Sequence, residues 1–141
     1  YMKKKLKIAD KLRSSGLRPT KQRIQIAKFL FERDKTFHFT VEDLDCLINK
    51  KNRNAKISLA TFYNTVHAFK KAGHLKEILT NNSKSYFDTH TDSHHHFFDT
   101  KNNELIDIDS KSVELKSIPK APKGKKIKDI DVVINIDNDS H

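Results

Sequence analysis

Four of the eight histidines in this 141-residue chain fall within seven positions: His90, His94, His95 and His96. Side chains alternate along a strand, so His94 and His96 share one face and His95 takes the other. Two imidazoles spaced in this way can reach one metal ion. Asp88 precedes the cluster, and Asp107 lies on a later strand-like run. Asp88, His94, His96 and Asp107 form a nitrogen and oxygen donor set without thiolates, which suits Fe(II), Mn(II) or Zn(II). Iron and manganese favour five or six ligands, and His38 offers a further one. A neutral imidazole also serves as an axial ligand of haem iron, so haem is an alternative for the histidines. The single cysteine, Cys46, excludes an internal disulfide and any Cys-x-x-Cys zinc site, and it reads as a small buried apolar residue. His67 and His74 stand alone and read as structural or phosphate-facing. A catalytic metal needs an open position and a separately placed acid or base, and no residue stands out for that role. With only three glycines and no phosphate loop, an enzyme is not expected.

Charge is the next clue. The formal net charge is +10, but it is uneven. Residues 1–80 hold 19 Lys and Arg against 7 Asp and Glu, a net +12; residues 81–141 hold 9 against 11, a net −2. A basic module joined to a mildly acidic one points to a nucleic-acid reader with a second task. Mean hydropathy is −0.73. No apolar run approaches the ~20 residues of a membrane helix. No leader pattern opens the chain, so a reducing, cytoplasmic location is expected.

These residues need elements to hold them. Residues 3–15 carry Leu6, Ile8, Ala9 and Leu12 at helical spacing, with Gly16 as a stop. Thr20 is an N-cap for a helix over 21–32, with an apolar stripe of Ile24, Ala27, Leu30 and Phe31. Thr40 opens a third helix in a capping box with Asp43, burying Val41, Leu44, Leu47 and Ile48. Ser58 opens a fourth, with Leu59, Phe62, Val66 and Phe69 on one face. Gly73 ends it. Residues 74–80 and 85–89 read as two strands around a turn at 81–83, the wing of a winged helix. Further strands are expected at 94–98, 104–108 and 128–136. A short helix is expected at 110–116, before a Lys-, Pro- and Gly-rich segment at 119–126.

Helices three and four fit a helix-turn-helix whose second helix enters the major groove. Its polar face carries Ser58, Thr61, Asn64, Thr65, Ala68 and Lys71, short groups that approach base edges. Tyr63 sits beside that face. Lys21 and Arg23 open helix two, where they can hold phosphates.

Particular segments resemble a known family. "GLRPTKQR" at 16–23, "HFTVEDL" at 38–44 and "SLATFYNTV" at 58–66 resemble the ferric uptake regulator superfamily. "KSYFDTHTDSHHHFFD" at 84–99, "ELIDI" at 104–108 and "IKDIDVVI" at 127–134 are similar to its iron response regulator branch, known from alphaproteobacteria.

The resemblance implies an α+β protein. An N-terminal winged helix-turn-helix domain at 1–89 precedes a small C-terminal α/β dimerisation and sensing domain at 90–141. It implies a regulatory metal site at His38, Asp88, His94, His96 and Asp107, and haem binding at His94, His95 and His96. It implies DNA contacts at Lys21, Tyr63 and Asn64, beside Arg23, Ser58 and Thr61 from the residues themselves. The expected partners are a second copy of the chain and an AT-rich inverted repeat of double-stranded DNA. Asp99 and Asn102 stand where most of the superfamily has Cys-x-x-Cys, so the structural zinc site is not expected. The function implied is a bacterial regulator of iron and haem homeostasis that responds to haem or a divalent metal. The alternative is a peroxide- or manganese/iron-sensing regulator of the same superfamily, with a metalloenzyme a distant third.

Overall fold

Hydroxyl side chains start three of the helices. The computed structural model describes residues 7–52, 54–92 and 94–139. After α1 (Ile8–Ser14), α2 (Lys21–Phe31) begins at Thr20, whose Oγ1 accepts from the Arg23 amide. The strand β1 (His38–Phe39) runs into α3 (Val41–Asn49). There Thr40 Oγ1 accepts from the Asp43 amide and Asp43 Oδ2 accepts from the Thr40 amide, both at 3.1 Å. The helix α4 (Leu59–Lys71) begins at Ser58, whose Oγ accepts from the Thr61 amide. Each such cap is worth about 1 kcal/mol. At the other end of α4, the His74 amide donates to the Phe69 carbonyl and the Gly73 amide to that of Lys70. This is a Schellman closure, and Gly73 supplies the φ of +86° it requires.

The chain divides into two compact units, Tyr1–Thr91 and Asp92–His141. In the first, β2 (Lys76–Leu79) and β3 (Ser85–Asp88) form the wing hairpin. The strand β1 pairs antiparallel with the other edge of β3, giving the order β1-β3-β2. Leu12, Ile26, Ala27, Leu30, Phe39, Leu44, Phe62, Val66, Phe69 and Phe87 fill the core beneath. Removing a buried phenylalanine such as Phe69 to Ala costs about 3–5 kcal/mol.

In the second unit, β4 (His95–Asp99) lies between β5 (Glu104–Ile108), antiparallel, and β6 (Val133–Ile136), parallel. Phe97 stands opposite Ile106 on one side and Ile134 on the other. Asp99 closes the β4–β5 turn. Its carboxylate accepts from the Lys101 and Asn102 amides at 2.9 and 3.2 Å and from Asn102 Nδ2 at 3.0 Å. These bonds, that from the Asn102 amide first, hold its carboxyl below the usual range.

Several expectations are corrected. Counting back from Leu30 by three and four places Ala27 and Ile26 on the inner face of α2, whereas Ile24 and Phe31 fall on its flanks. Leu47 is exposed, about 90° round from the centre of the Val41–Leu44–Ile48 stripe. Cys46 is exposed for the same reason, nearly opposite that stripe. Leu59 is exposed in the first turn of α4, while Thr65 is buried beside Phe69 and leaves the polar face. The expected helix at 110–116 shortens to a 3₁₀ turn, Ser110–Ser112, begun by Asp109 accepting from the Lys111 amide. The last strand shortens to Val133–Ile136. Residues 3–6 of the first expected helix lie outside the described residues.

Candidate metal centre

In the first unit the metal-ligand types converge through strand register. His38 on β1 stands opposite Asp88 on β3. Its Nε2 lies 2.9 Å from Asp88 Oδ2. The pairing continues outward, with the Phe37 amide donating to Thr89 Oγ1 at 2.9 Å and the Thr89 amide to the Phe37 carbonyl at 3.2 Å. Phe37 stacks on Phe39, and the Arg33 guanidinium lies 4.1 Å from the Phe37 ring centre. A two-residue strand is thereby fixed well enough to aim His38. Asp88 is fully buried, and its Oδ1 accepts from the His90 amide at 2.9 Å.

In the second unit His96 faces Asp107 across β4 and β5. Asp107 Oδ1 lies 3.1 Å from His96 Nε2 and 3.2 Å from His94 Nε2. The two imidazole centres are 4.4 Å apart. His94 Nδ1 donates to the Asp92 carbonyl at 2.6 Å. His95 points to the opposite face, where its Nδ1 accepts from the Val132 amide at 3.0 Å. All three histidines are buried.

The tautomer of His94 follows from its partners. A carbonyl only accepts, so Nδ1 carries the proton. Nε2 is then the nitrogen turned toward Asp107 Oδ1, and it can share either a proton or a metal cation with that oxygen. The His–Asp spacings of 2.9–3.2 Å place an imidazole nitrogen and a carboxylate oxygen side by side in each unit. Imidazole nitrogens with carboxylate oxygens are the donors of Fe(II), Mn(II) and Zn(II) sites.

The expected DNA-contacting residues gather around the N-terminus of α4 and the start of α2. Lys21 and Asn64 are exposed. Arg23 Nη1 donates to the Arg18 carbonyl at 3.3 Å. Ser58 Oγ caps the helix and lies 2.9 Å from Thr61 Oγ1. Tyr63 Oη donates to Glu42 Oε1 at 2.5 Å, and its ring stacks on His67. This hydrogen bond is the main reason the Tyr63 phenol titrates above its ordinary value. Glu42 was not among the expected site residues; its place on the exposed side of α3, one helix before Tyr63, was the available signal. His74 is structural, its Nε2 2.7 Å from Ser15 Oγ and its ring against Phe31 and Phe69.

A winged helix followed by a small sheet bearing paired histidines and carboxylates defines a class of two-unit α+β proteins. The model of the ferric uptake regulator family matches residues 14–136, and the chain belongs to that family. It is 34% identical over 97 residues to the peroxide-responsive repressor PerR of Staphylococcus epidermidis. That match covers 69% of this chain, which spans 62% of the relative's length. Among solved structures, it resembles the ferric uptake regulator of Pseudomonas aeruginosa with manganese, at a TM-score of 0.69 and 19% identity. That likeness covers 94% of this chain and 98% of the other. The Vibrio cholerae ferric uptake regulator gives a TM-score of 0.66 at 19% identity over 92% and 98%. Among the described residues, no helix is long and apolar enough to cross a membrane.

Proposed function

We propose that the chain is a sequence-specific DNA-binding transcriptional regulator whose DNA affinity is set by Fe(II) or Mn(II) held by His38, Asp88, His94, His96 and Asp107. The observation that carries this reading is the approach of His94 Nε2 and His96 Nε2 to one carboxylate oxygen, Asp107 Oδ1, at 3.2 and 3.1 Å. With His94 Nδ1 donating to the Asp92 carbonyl, Nε2 is the nitrogen turned toward Asp107. The His38–Asp88 pair offers the same chemistry in the other unit. Residues 89–93 separate Asp88 from His94 in sequence, a link that spans about 20 Å at most. One ion drawing on both groups would couple the winged-helix unit to the sheet unit.

DNA binding is supported by the net +12 of residues 1–80 and by the exposed groups at the start of α4. Ser58, Thr61, Tyr63 and Asn64 would face bases, and Lys21 and Arg23 phosphates. A homodimer on an inverted repeat is supported by the row Ile106–Phe97–Ile134, which crosses the three strands on the face opposite His94 and His96. Ile106 is 46% exposed and Ile134 40% exposed, an apolar row that a second copy would cover. In this reading residues 1–89 read DNA and 90–141 sense and dimerise, in the bacterial cytoplasm. The metal supplies only a fixed positive charge; the protein supplies the two ligand groups whose relative placement it biases. A differential of about 1.4 kcal/mol between the two arrangements changes DNA affinity tenfold.

The test is fluorescence anisotropy of a labelled AT-rich inverted repeat at one salt concentration. With Mn(II) in place of chelator, binding tightens about tenfold in the wild type and stays unchanged in Asp107→Ala. Binding indifferent to both Mn(II) and Fe(II) overturns the reading. Haem is the competing ligand for His94, His95 and His96. The hydrogen bonds that engage His94 and His95 and the burial of all three favour a compact cation over a porphyrin. DNA release by haem without any metal effect would reverse that preference.

A second reading is favoured by the 34% identity to a peroxide-responsive repressor. Here hydrogen peroxide oxidises the ring of His38 or His94, adding one oxygen atom and releasing water. Mass spectrometry after peroxide treatment of the Fe(II)-loaded protein would find that gain on one of these two residues.

A further inference from the structure

The charge of the second unit is sharply divided. Residues 92–141 hold eight lysines and ten acidic residues, a net −2. Six of the lysines, Lys116, Lys120, Lys123, Lys125, Lys126 and Lys128, fall in residues 116–128, which contain no acid. That segment is therefore +6 and the remainder of the unit −8. All six are exposed. None has a carboxylate within 4 Å among the described residues; the unit's lysine–carboxylate pair at that distance is Lys101 with Asp137, at 3.9 Å. Charge that only kept the unit soluble would sit interspersed with the acids.

The segment is also stiffened. Pro119 and Pro122 fix two φ angles. The Lys125 amide donates to the Pro122 carbonyl at 2.9 Å, closing a turn over Lys123 and Gly124. Gly124 has φ of +80°, as the third position of a type II turn requires. Lys123 and Lys125 thus project from a preformed corner, with less entropy to lose on binding than a flexible tail. Leu115, Ile118 and Ile127 are exposed in the same stretch.

We propose that residues 116–128 form a second DNA-backbone contact, carried by the sheet unit and separate from the winged helix. The inference rests on the DNA-binding reading above. An acid-free run of exposed ammonium groups suits a polyanion, and residues 1–80 independently carry a net +12 of the same sign. Lysine heads on such a turn contact phosphates without reading bases, so the contact adds affinity and salt dependence but no sequence preference.

The experiment compares the full-length wild type with Lys120, Lys123, Lys125 and Lys126→Gln and with a control, Lys101 and Lys111→Gln. Anisotropy with a labelled AT-rich inverted repeat and with a scrambled duplex is measured over a series of salt concentrations. Each lost phosphate contact lowers the slope of log affinity against log salt by about 0.9. The fourfold variant is expected to lose about 2–4 in slope on both duplexes, keep the ratio between them, and leave the control at wild-type slope. An unchanged slope in the fourfold variant, with the wild type binding normally, overturns this inference and leaves the winged-helix reading intact. Wild type that binds neither duplex overturns both. Loss of binding to phosphatidylglycerol vesicles with an unchanged DNA slope would assign the segment to a membrane surface instead and equally overturn it.

Discussion

His38 Nε2 and Asp88 Oδ2 lie 2.9 Å apart although 50 positions separate the two residues. The contact is made by strand register, with β1 paired to the edge of β3 so that His38 sits opposite Asp88. A buried carboxylate without a positive partner is costly, so the pair depends on a shared proton or a shared cation.

Asp88→Asn keeps the shape and removes the charge. Mn(II) affinity, measured by isothermal titration calorimetry, should fall at least tenfold while far-UV circular dichroism stays unchanged. An affinity equal to wild type would remove Asp88 from the ligand set.

Glu42 holds the Tyr63 phenol above its ordinary titration point, chiefly through their hydrogen bond. In Glu42→Gln the phenolate absorbance should appear at lower pH than in the wild type. The same change removes a negative charge beside the expected DNA face and should tighten binding to the inverted repeat several-fold. A variant with wild-type phenol titration would show that the bond does not persist in solution.

The first helix and the fourth meet the wing at His74, and that corner should be acid-sensitive. Burial, with Lys11 nearby, pushes the His74 imidazole below its ordinary value of 6.5. The unfolded chain then binds the proton more readily than the folded one. This contribution to stability is complete above about pH 6.5 and fades as pH falls toward the folded value. Urea midpoints at pH 7.5 and 5.5 should differ less in His74→Gln than in the wild type; equal differences would exclude His74 as a source.

Ile106 lies at one end of the exposed row on the second sheet, on the edge strand β5. Ile106→Lys should convert a dimer to a monomer in analytical ultracentrifugation without unfolding the sheet. A monomeric wild type, or a dimeric variant, would place the interface elsewhere.

Local features were legible because their physics is local. Thr20, Thr40 and Ser58 act on amides three positions away, so sequence spacing reveals them. The alternation that places His94 and His96 together and His95 apart is likewise a property of any strand. The strand β1 was not foreseen, because two residues carry no period and its partner lies 50 positions on. Cys46 is apolar by type, but its angular position on α3, nearly opposite the buried stripe, leaves it exposed. The Glu42–Tyr63 bond joins two helices and has no sequence signature. The five candidate metal ligands were readable from residue type, strand alternation and the resemblance, whereas the contact of His94 Nδ1 with the Asp92 carbonyl needed the structure.

The Asp99 turn bears on how long the second sheet endures. A carboxylate that stays ionised into acid and grips three N–H groups contains nothing that an oxidant can attack or a chelator can strip. The hairpin carrying His95, His96 and Asp107 therefore has a clasp chemically deaf to the signals proposed for its neighbours. In the proposed reading the response is confined to the histidines and carboxylates that meet the ion, which can come and go without loss of the frame that aims them.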